Sequence, residues 1–531
     1  MRRGLLPLSV ILVLGLASAC TGAATPSASG RTDNTAMVLA EPVEPATLDP
    51  LAGYAPNGAA KIFDGLYEYQ PDGTLRPVLA ASAPVPAADG KSWTVTLRTG
   101  VRFSDGTPFA PIDVLTTYRA LINPAFASPL RGGYGMLTAV DEVDQNTIRF
   151  DLAYPYAPFP DRLVIGIVPA PALATVQPVA DLPLNTHPVG TGPYTLVSWT
   201  KGSQLVLAAN PNYPSALGGP PKVRRVVVEF VPNDTDRVTK LKAGKLDGAA
   251  VAPSEAPVFA HSDGFSMLTD HSADLRAVQL PANGPVTGDP AIRMALNLAV
   301  DRAALVSGPL AGAGTPAPTP MPAVLPEFVE PTATFAADQD TARTALLQAG
   351  WIANTDGGRS KAGVPAAFTM DYPTGDTTDT ALASAFATAA KAIGINVTIV
   401  AVPPAALAGK AATDATLIST GNPFDPDLGL YPLLDSSLAG TGLGDPSGYR
   451  DQAVDSALDT GRHTLDPSQR AVAYRQFQKA YVADPAMVCL VFVDHTYVMR
   501  DNWTGYTQVT DGASQGVTWG PWWNLGAWVP R

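Results

Sequence analysis

The sequence predicts an α/β fold built in at least two lobes, and three observations carry that expectation. Helix-spaced apolar residues Leu382, Phe386 and Ile393 stop at Gly394, and Ile395, Val397 and Ile399 follow at once at strand spacing. A helix running into a strand across one stop residue is the joint of an α/β lobe. Residues 226–231 (VVVEFV) form a nearly continuous apolar run, the pattern of a strand buried on both faces. Beyond the leader and linker, about 495 residues remain, more than a single core usually serves.

The chain opens with an export pattern. Arg2 and Arg3 precede an apolar run at 5–16, too short to span a membrane, and Ala17, Ser18 and Ala19 lead into Cys20. Small residues before a cysteine resemble a bacterial lipobox, although Ala17 stands where leucine is usual. Residues 1–20 are therefore expected to be a lipoprotein signal, with Cys20 the lipidated residue. Residues 21–35 are small and polar, cannot bury enough surface to offset ordering, and read as a flexible tether.

Along the body, Trp93, Val95 and Leu97 alternate with polar residues, and Thr99-Gly100 turns into Val101-Arg102-Phe103. This reads as a hairpin, followed by the turn Ser104-Asp105-Gly106-Thr107. Asp289-Pro290 opens a helix as N-cap and first-turn proline, with Ile292, Leu296 and Ala299 on one face. A second helix is expected over 340–349, stopped by Gly350. Asp247 and Asp301 stand where helix caps would.

Composition removes several functions. The formal charge is −12, it becomes more negative once Arg2 and Arg3 leave, and no Lys/Arg-rich run exists, so nucleic acid is not an expected partner. With Cys20 assigned to lipid, Cys489 lies alone in an apolar run and reads as a small buried hydrophobe. His187, His261, His271, His463 and His495 show no metal-ligand spacing, so neither metal nor cofactor is expected. Gly512-Ala513-Ser514-Gln515-Gly516 formally matches a nucleophile elbow. An esterase acting through Ser514 would need a histidine downstream, and His495 is the last one. The chain is not expected to be an enzyme.

Taken together, the segments resemble the peptide/nickel/opine substrate-binding proteins of ABC importers, solute-binding family 5. The resemblance runs through Thr47-Leu48-Asp49-Pro50, Ile62-Phe63-Asp64-Gly65-Leu66-Tyr67, Pro71-Asp72-Gly73 and Pro77-Val78-Leu79-Ala80. It continues through Trp93 to Arg98, Gly100 to Pro108, Gly190-Thr191-Gly192-Pro193-Tyr194 and Asn210-Pro211-Asn212-Tyr213. Leu241 to Asp247, Arg293 to Asn297 with Val300-Asp301-Arg302, and Leu346 to Gly350 complete it. Most of these residues hold the fold. The resemblance implies a two-lobed, periplasmic-binding-protein-like α/β clamp of the large type II class, hinged at two crossings around an inter-lobe cleft. Lobe I is expected from 36–79, 185–278 and 495–531, with an inserted subdomain at 80–184, and lobe II from 279–494.

The same resemblance implies an exported, lipid-anchored monomer that gives a small solute, foremost an oligopeptide, to the permease subunits of an ABC importer. An oligosaccharide or glycoside, haem, or a nickel chelate is the alternative cargo, and a solute sensor without transport a third possibility. Gly421-Asn422-Pro423-Phe424-Asp425-Pro426-Asp427 resembles the lobe II loop facing the cleft. In peptide-binding members an aspartate there pairs with the ligand's terminal ammonium, and Asn422 stands in that place. Either Asp425 or Asp427 takes the role, or the ligand lacks a free amine there; an Asx/Pro turn with all three polar side chains solvated is the plainer reading. Tyr54 and Tyr134 occupy family positions near the ligand, with packing the alternative for each, and Asn283 follows the first crossing, where it could bond a ligand backbone or cap a turn. Trp503, Trp519, Trp522, Trp523 and Trp528 crowd the C-terminal tail. They read better as rings pinning the tail to lobe I than as a sugar or haem platform.

Overall fold

The computed structural model describes residues 36–407, 409–439, 447–513 and 516–531. Cys20, the expected leader and tether, and Ser514 lie outside them. Two large mixed sheets organise the body. The seven-stranded sheet runs in the order Phe265–Asp270, His495–Arg500, Gly248–Val251, Ala36–Glu41, Arg225–Phe230, Gln204–Ala209, Tyr194–Thr200. The six-stranded sheet runs Gly314–Pro316, Met487–Val493, Leu275–Gln279, Ala415–Thr420, Ala367–Pro373, Asn396–Val402. The chain passes from one sheet to the other between Asp270 and Leu275, and returns at Asp494. These are the two crossings of a two-lobed clamp.

In the first sheet Ala36–Glu41 lies parallel to Arg225–Phe230 and to Gly248–Val251. Those two strands flank it, and the helix Asp234–Lys242 makes the crossover from one to the other. Arg225–Phe230 is not buried on both faces as its apolar run suggests. Val226 and Val228 are buried while Val227 and Glu229 are partly exposed. Strands Met487–Val493 and Leu275–Gln279 are buried throughout, and in the former Val488 and Leu490 enter one core while Cys489 and Phe492 enter the other. Helices Pro290–Ala299 and Thr377–Ala392 cover the first face, and Pro426–Leu434, Gln452–His463 and Pro467–Ala483 the second. Burial pushes the Cys489 thiol up to about 11, which leaves it an apolar filler.

The helix starts follow local chemistry. Asp289 caps Pro290–Ala299 by accepting from Ala291 N, and Asp301 caps Arg302–Ser307. Helices also form over Gln339–Gln348 and Thr377–Ala392. Asp247 caps no helix; its carboxylate accepts from Val38 N at 2.7 Å and ties neighbouring strands of the first sheet. The hairpin expected between 93–97 and 101–103 is also replaced. Ser92–Thr96 pairs with Val85–Pro86 and Thr147–Leu152 in a separate four-stranded sheet. Residues 101–109 close on themselves instead, Phe109 N donating to Val101 O and Phe103 N to Thr107 O. The non-local ladder buries Trp93 and Val95, which a hairpin so close to the turn would not. Likewise Leu275–Gln279, placed up to residue 278 in the first lobe by the sequence, is hydrogen-bonded to Ala415–Thr420 and Met487–Val493 in the second sheet.

One core joins the first sheet, the four-stranded sheet and the C-terminal tail. Trp503, Trp519, Trp522 and Trp528 are buried in it and Trp523 packs against it. The tail is thus pinned by large rings.

Candidate functional site

The segment leaving strand Ala415–Thr420 is shaped by its own residues. Gly421 adopts φ +132°, and a Cβ there would run into the carbonyl oxygen of Ala273 in the first crossing. Only glycine lets the chain turn so close to the hinge. Asn422 Oδ1 then accepts from Phe424 N at 2.9 Å and Asp425 N at 3.3 Å, an Asx turn. Asp425 caps the helix Pro426–Leu434 by accepting from Asp427 N at 2.8 Å.

This turn drives Phe424 out of the second lobe onto the first. Its ring stacks on Tyr69 with centroids 3.4 Å apart and planes 3° off parallel. Trp519 meets Phe424 edge-on at 5.2 Å. Three distant segments therefore meet in one aromatic seam between the lobes. Beside it, Tyr69 donates to Asp161 at 2.8 Å, Tyr156 donates to Asp427 at 2.7 Å, and Ala157 N donates to Arg462 O at 3.1 Å. Ala513 N reaches Gly421 O at 3.3 Å.

The acids of the loop are already engaged. Asp425 pairs with Arg470 at 2.9 Å, and Asp427 accepts from Arg462 Nε at 2.8 Å as well as from Tyr156. Asn422, Asp425 and Asp427 are all buried. In this geometry neither carboxylate is presented to a ligand ammonium, and none of the three polar side chains is solvated. Buried carboxylates need compensation, and the two arginines supply it. Burial also pushes Asp161 up to about 7, and the charge of Asp425 adds to the shift.

The other expected site residues scatter. Tyr54 is buried in the first lobe, and its hydroxyl has no hydrogen-bond partner. Tyr134 belongs to the core under the four-stranded sheet, donating to the backbone carbonyl of Arg162 at 3.1 Å and packing edge-on against Tyr118. Asn283 lies past the far end of strand Leu275–Gln279, about 13 Å further from the crossing by strand rise. It lines a separate cavity of about 390 Å³ with Arg293, Gly448, Tyr449 and Arg450. The sequence thus brings Asn422, Phe424, Asp425 and Asp427 together but not Tyr54, Tyr134 or Asn283 with them. Tyr69, Tyr156, Asp161, Arg462 and Arg470 were not foreseen. No local pattern marks them, because each acts on a partner far along the chain.

At the crossings, His495 is clamped between Asp274 (3.1 Å to Nε2) and Asp511 (3.0 Å to Nδ1). Burial works against its charge, but the two carboxylate hydrogen bonds prevail and hold it up at about 9. Arg276 pairs with Asp274 at 2.9 Å and with Asp379 of the helix Thr377–Ala392. Both crossings and the second lobe are thereby tied into one charged network. Among the described residues, no group of three or more His, Cys, Asp or Glu side chains could hold a metal ion, and no helix is long and apolar enough to cross a membrane.

Residues 74–440 match the family model described as bacterial extracellular solute-binding proteins, family 5 Middle. Over 497 residues the chain is 41% identical to Protein XP55 of Streptomyces lividans, covering 93% of this chain and 91% of that protein. It is 25% identical over 531 residues to the oligopeptide-binding protein AppA of Bacillus subtilis (strain 168), covering 95% and 96%. Among solved structures it is similar to NikZ from Campylobacter jejuni in complex with Ni(L-His), with a TM-score of 0.86 and 26% identity over 94% of this chain and all of that one. The structure of AppA with a nonapeptide shares the fold, with a TM-score of 0.83 and 22% identity over 93% and 99%.

Proposed function

Since this chain belongs to family 5 of the bacterial extracellular solute-binding proteins, a non-enzymatic, extracytoplasmic partner of ABC importers, we propose that its cargo is an oligopeptide held between the lobes. The observation that carries this reading is the aromatic seam of Phe424, Tyr69 and Trp519. Ring faces offer apolar area without fixed hydrogen-bond demands, which suits ligands whose side chains vary. The full-length relative AppA, named for oligopeptides, supports the same cargo. The moving bodies are the lobe of the seven-stranded sheet with the insertion at 80–184, and the lobe of the six-stranded sheet. Closure brings Phe424 onto Tyr69 and Asp427 onto Tyr156. The protein works as a monomer tethered to the outer face of the cell membrane through Cys20, handing its cargo to permease subunits. A second reading, a nickel chelate of an amino acid, rests on the likeness to NikZ with its Ni(L-His).

The test is a thermal-shift screen of protein unfolded and refolded to strip bound ligand, with tetrapeptides, oligosaccharides, haem and Ni(L-His) as additives. Ligand at a hundred times its dissociation constant adds about 2.7 kcal/mol. A shift with peptides alone supports the proposal. A shift with Ni(L-His) alone would replace it by the second reading.

A further inference from the structure

The helix Thr377–Ala392 of the second lobe begins with a donor that its own cap does not take. Asp376 Oδ1 accepts from Thr378 N at 2.7 Å and Asp379 N at 3.1 Å, and Thr380 N donates to the Asp376 carbonyl at 3.3 Å. These bonds leave over Thr377 N, the first of the four amides that a helix start exposes. The first lobe takes it. Asp234 Oδ2 accepts from Thr377 N and from Thr377 Oγ1, each at 3.1 Å. Asp234 opens the helix that follows strand Arg225–Phe230; it is 4% exposed, and its other oxygen is held by Arg237. Gly375, at φ +98°, carries the second-lobe backbone so near the Pro232 carbonyl of the first lobe that a Cβ there would touch it. Thr377 itself stays exposed, so the contact lies at the rim where the lobes meet.

This contact is bonded in series to both crossings. Asp376, whose Oδ1 caps the helix, gives its Oδ2 to Arg276 at 3.1 Å. Arg276 holds Asp274 in the first crossing at 2.9 Å, and Asp274 holds His495 of the returning strand at 3.1 Å. His495 then reaches Asp511 of the C-terminal tail at 3.0 Å. The residues of the aromatic seam take no part in this chain. A helix start carries positive partial charge, and a carboxylate is the group it holds best. When the lobes part, Asp234 gives up Thr377 but keeps Arg237, whose guanidinium also stays bonded to the carbonyls of Val231, Pro232 and Ala250. The contact can therefore open without stranding a charge.

We propose that Asp234 is a positioning residue for the closed clamp: it captures the start of helix Thr377–Ala392 as the lobes shut. Together with the crossings it sets the angle at which Phe424 can meet Tyr69 and Trp519. It acts through the lobe it holds and not on the solute, so the inference rests on the two-lobed clamp and is the same for any cargo.

Thr377→Pro tests this, because it removes both donors while suiting the helix. Proline is favoured at the first helical position, and Asp376, at φ −98° and ψ 118°, already has the backbone that precedes one. The full chain and the variant, each refolded free of ligand, are compared by hydrogen exchange. The readout is the amide of Ala157, whose bond to Arg462 O joins the lobes through other segments. Exchange at Ala157 should become faster by roughly 10- to 100-fold, the loss expected for hydrogen bonds to a charged group. Amides of the core strand Met487–Val493 should exchange as before, since parting the lobes leaves that core closed. Thr377→Val keeps the amide and loses the hydroxyl; it should give a smaller acceleration, and it carries the test if the proline variant does not fold. Unchanged exchange at Ala157 would show that Asp234 caps the helix without holding the lobes. Acceleration by the same factor at Ala157 and in the core strand would show that the contact serves folding alone. Either result overturns the proposal.

Discussion

The Tyr156 hydroxyl donates to Oδ2 of Asp427 at 2.7 Å, and neither side chain reaches solvent. One residue follows the four-stranded sheet of the first lobe, and the other sits in the first turn of a second-lobe helix. Arg462 holds the same carboxylate and lies over the Tyr431 ring at 3.2 Å. Removing the acid strands a buried guanidinium, whereas removing the hydroxyl leaves the ion pair intact. Asp427→Ala should therefore cost about 3–5 kcal/mol and Tyr156→Phe about 1 kcal/mol. Urea denaturation of the two variants measures both; equal losses would mean the ion pair is not the larger element.

The stack of Phe424 on Tyr69 is a contact between lobes, so its removal should act on closure more than on folding. Phe424→Ala is expected to enlarge the radius of gyration of the ligand-free protein in small-angle scattering. A double-mutant cycle with Tyr69→Ala should return a coupling of about 0.5–1.5 kcal/mol beyond the lost area. An unchanged scattering profile would show that the seam does not hold the lobes together.

Gly421→Ala should be among the most damaging single-methyl additions in this chain. The backbone there is left-handed, and the added Cβ meets the Ala273 carbonyl in the first crossing, not a flexible side chain. A loss above about 3 kcal/mol is expected, read by denaturant midpoint. A near-neutral result would indicate that the crossing can shift.

Stability should fall as pH rises from about 5 to 9. Burial raises Glu41 to about 8, and raises Asp64 and Asp379 to about 7. Their unfolded forms lose protons near pH 4, so the folded state binds more protons between there and 7–8, and each step upward in pH disfavours it. His495 adds to this: its folded value of about 9 lies above the unfolded one of 6.5, so its contribution is fully present below 6.5 and lost as pH passes through 9. Asp274 acts oppositely, because the Arg276 and His495 charges outweigh burial and hold it below the usual carboxylate range. Its contribution is present above an unfolded value near 4 and disappears only in strong acid. A thermal melt series across pH 5–9 should show Tm declining; a maximum at pH 8 would contradict these assignments.

What the sequence determined by itself was whatever is closed by bonds between near neighbours, together with the family. The Asx turn at Asn422, the caps at Asp289 and Asp301, and the helix-to-strand joint at Gly394 were legible because each partner lies within a few residues. Only the tertiary structure decided what those residues face. It gave Asp425 to Arg470 and Asp427 to Arg462, set Phe424 on Tyr69, and sent Asn283 past the far end of its strand. It also gave Trp93 and Val95 a ladder across the chain in place of a neighbouring hairpin. The reason is physical. A turn is fixed by local hydrogen bonds and allowed dihedrals, but the partner of a buried charge or ring is whichever group long-range packing drives out of water beside it.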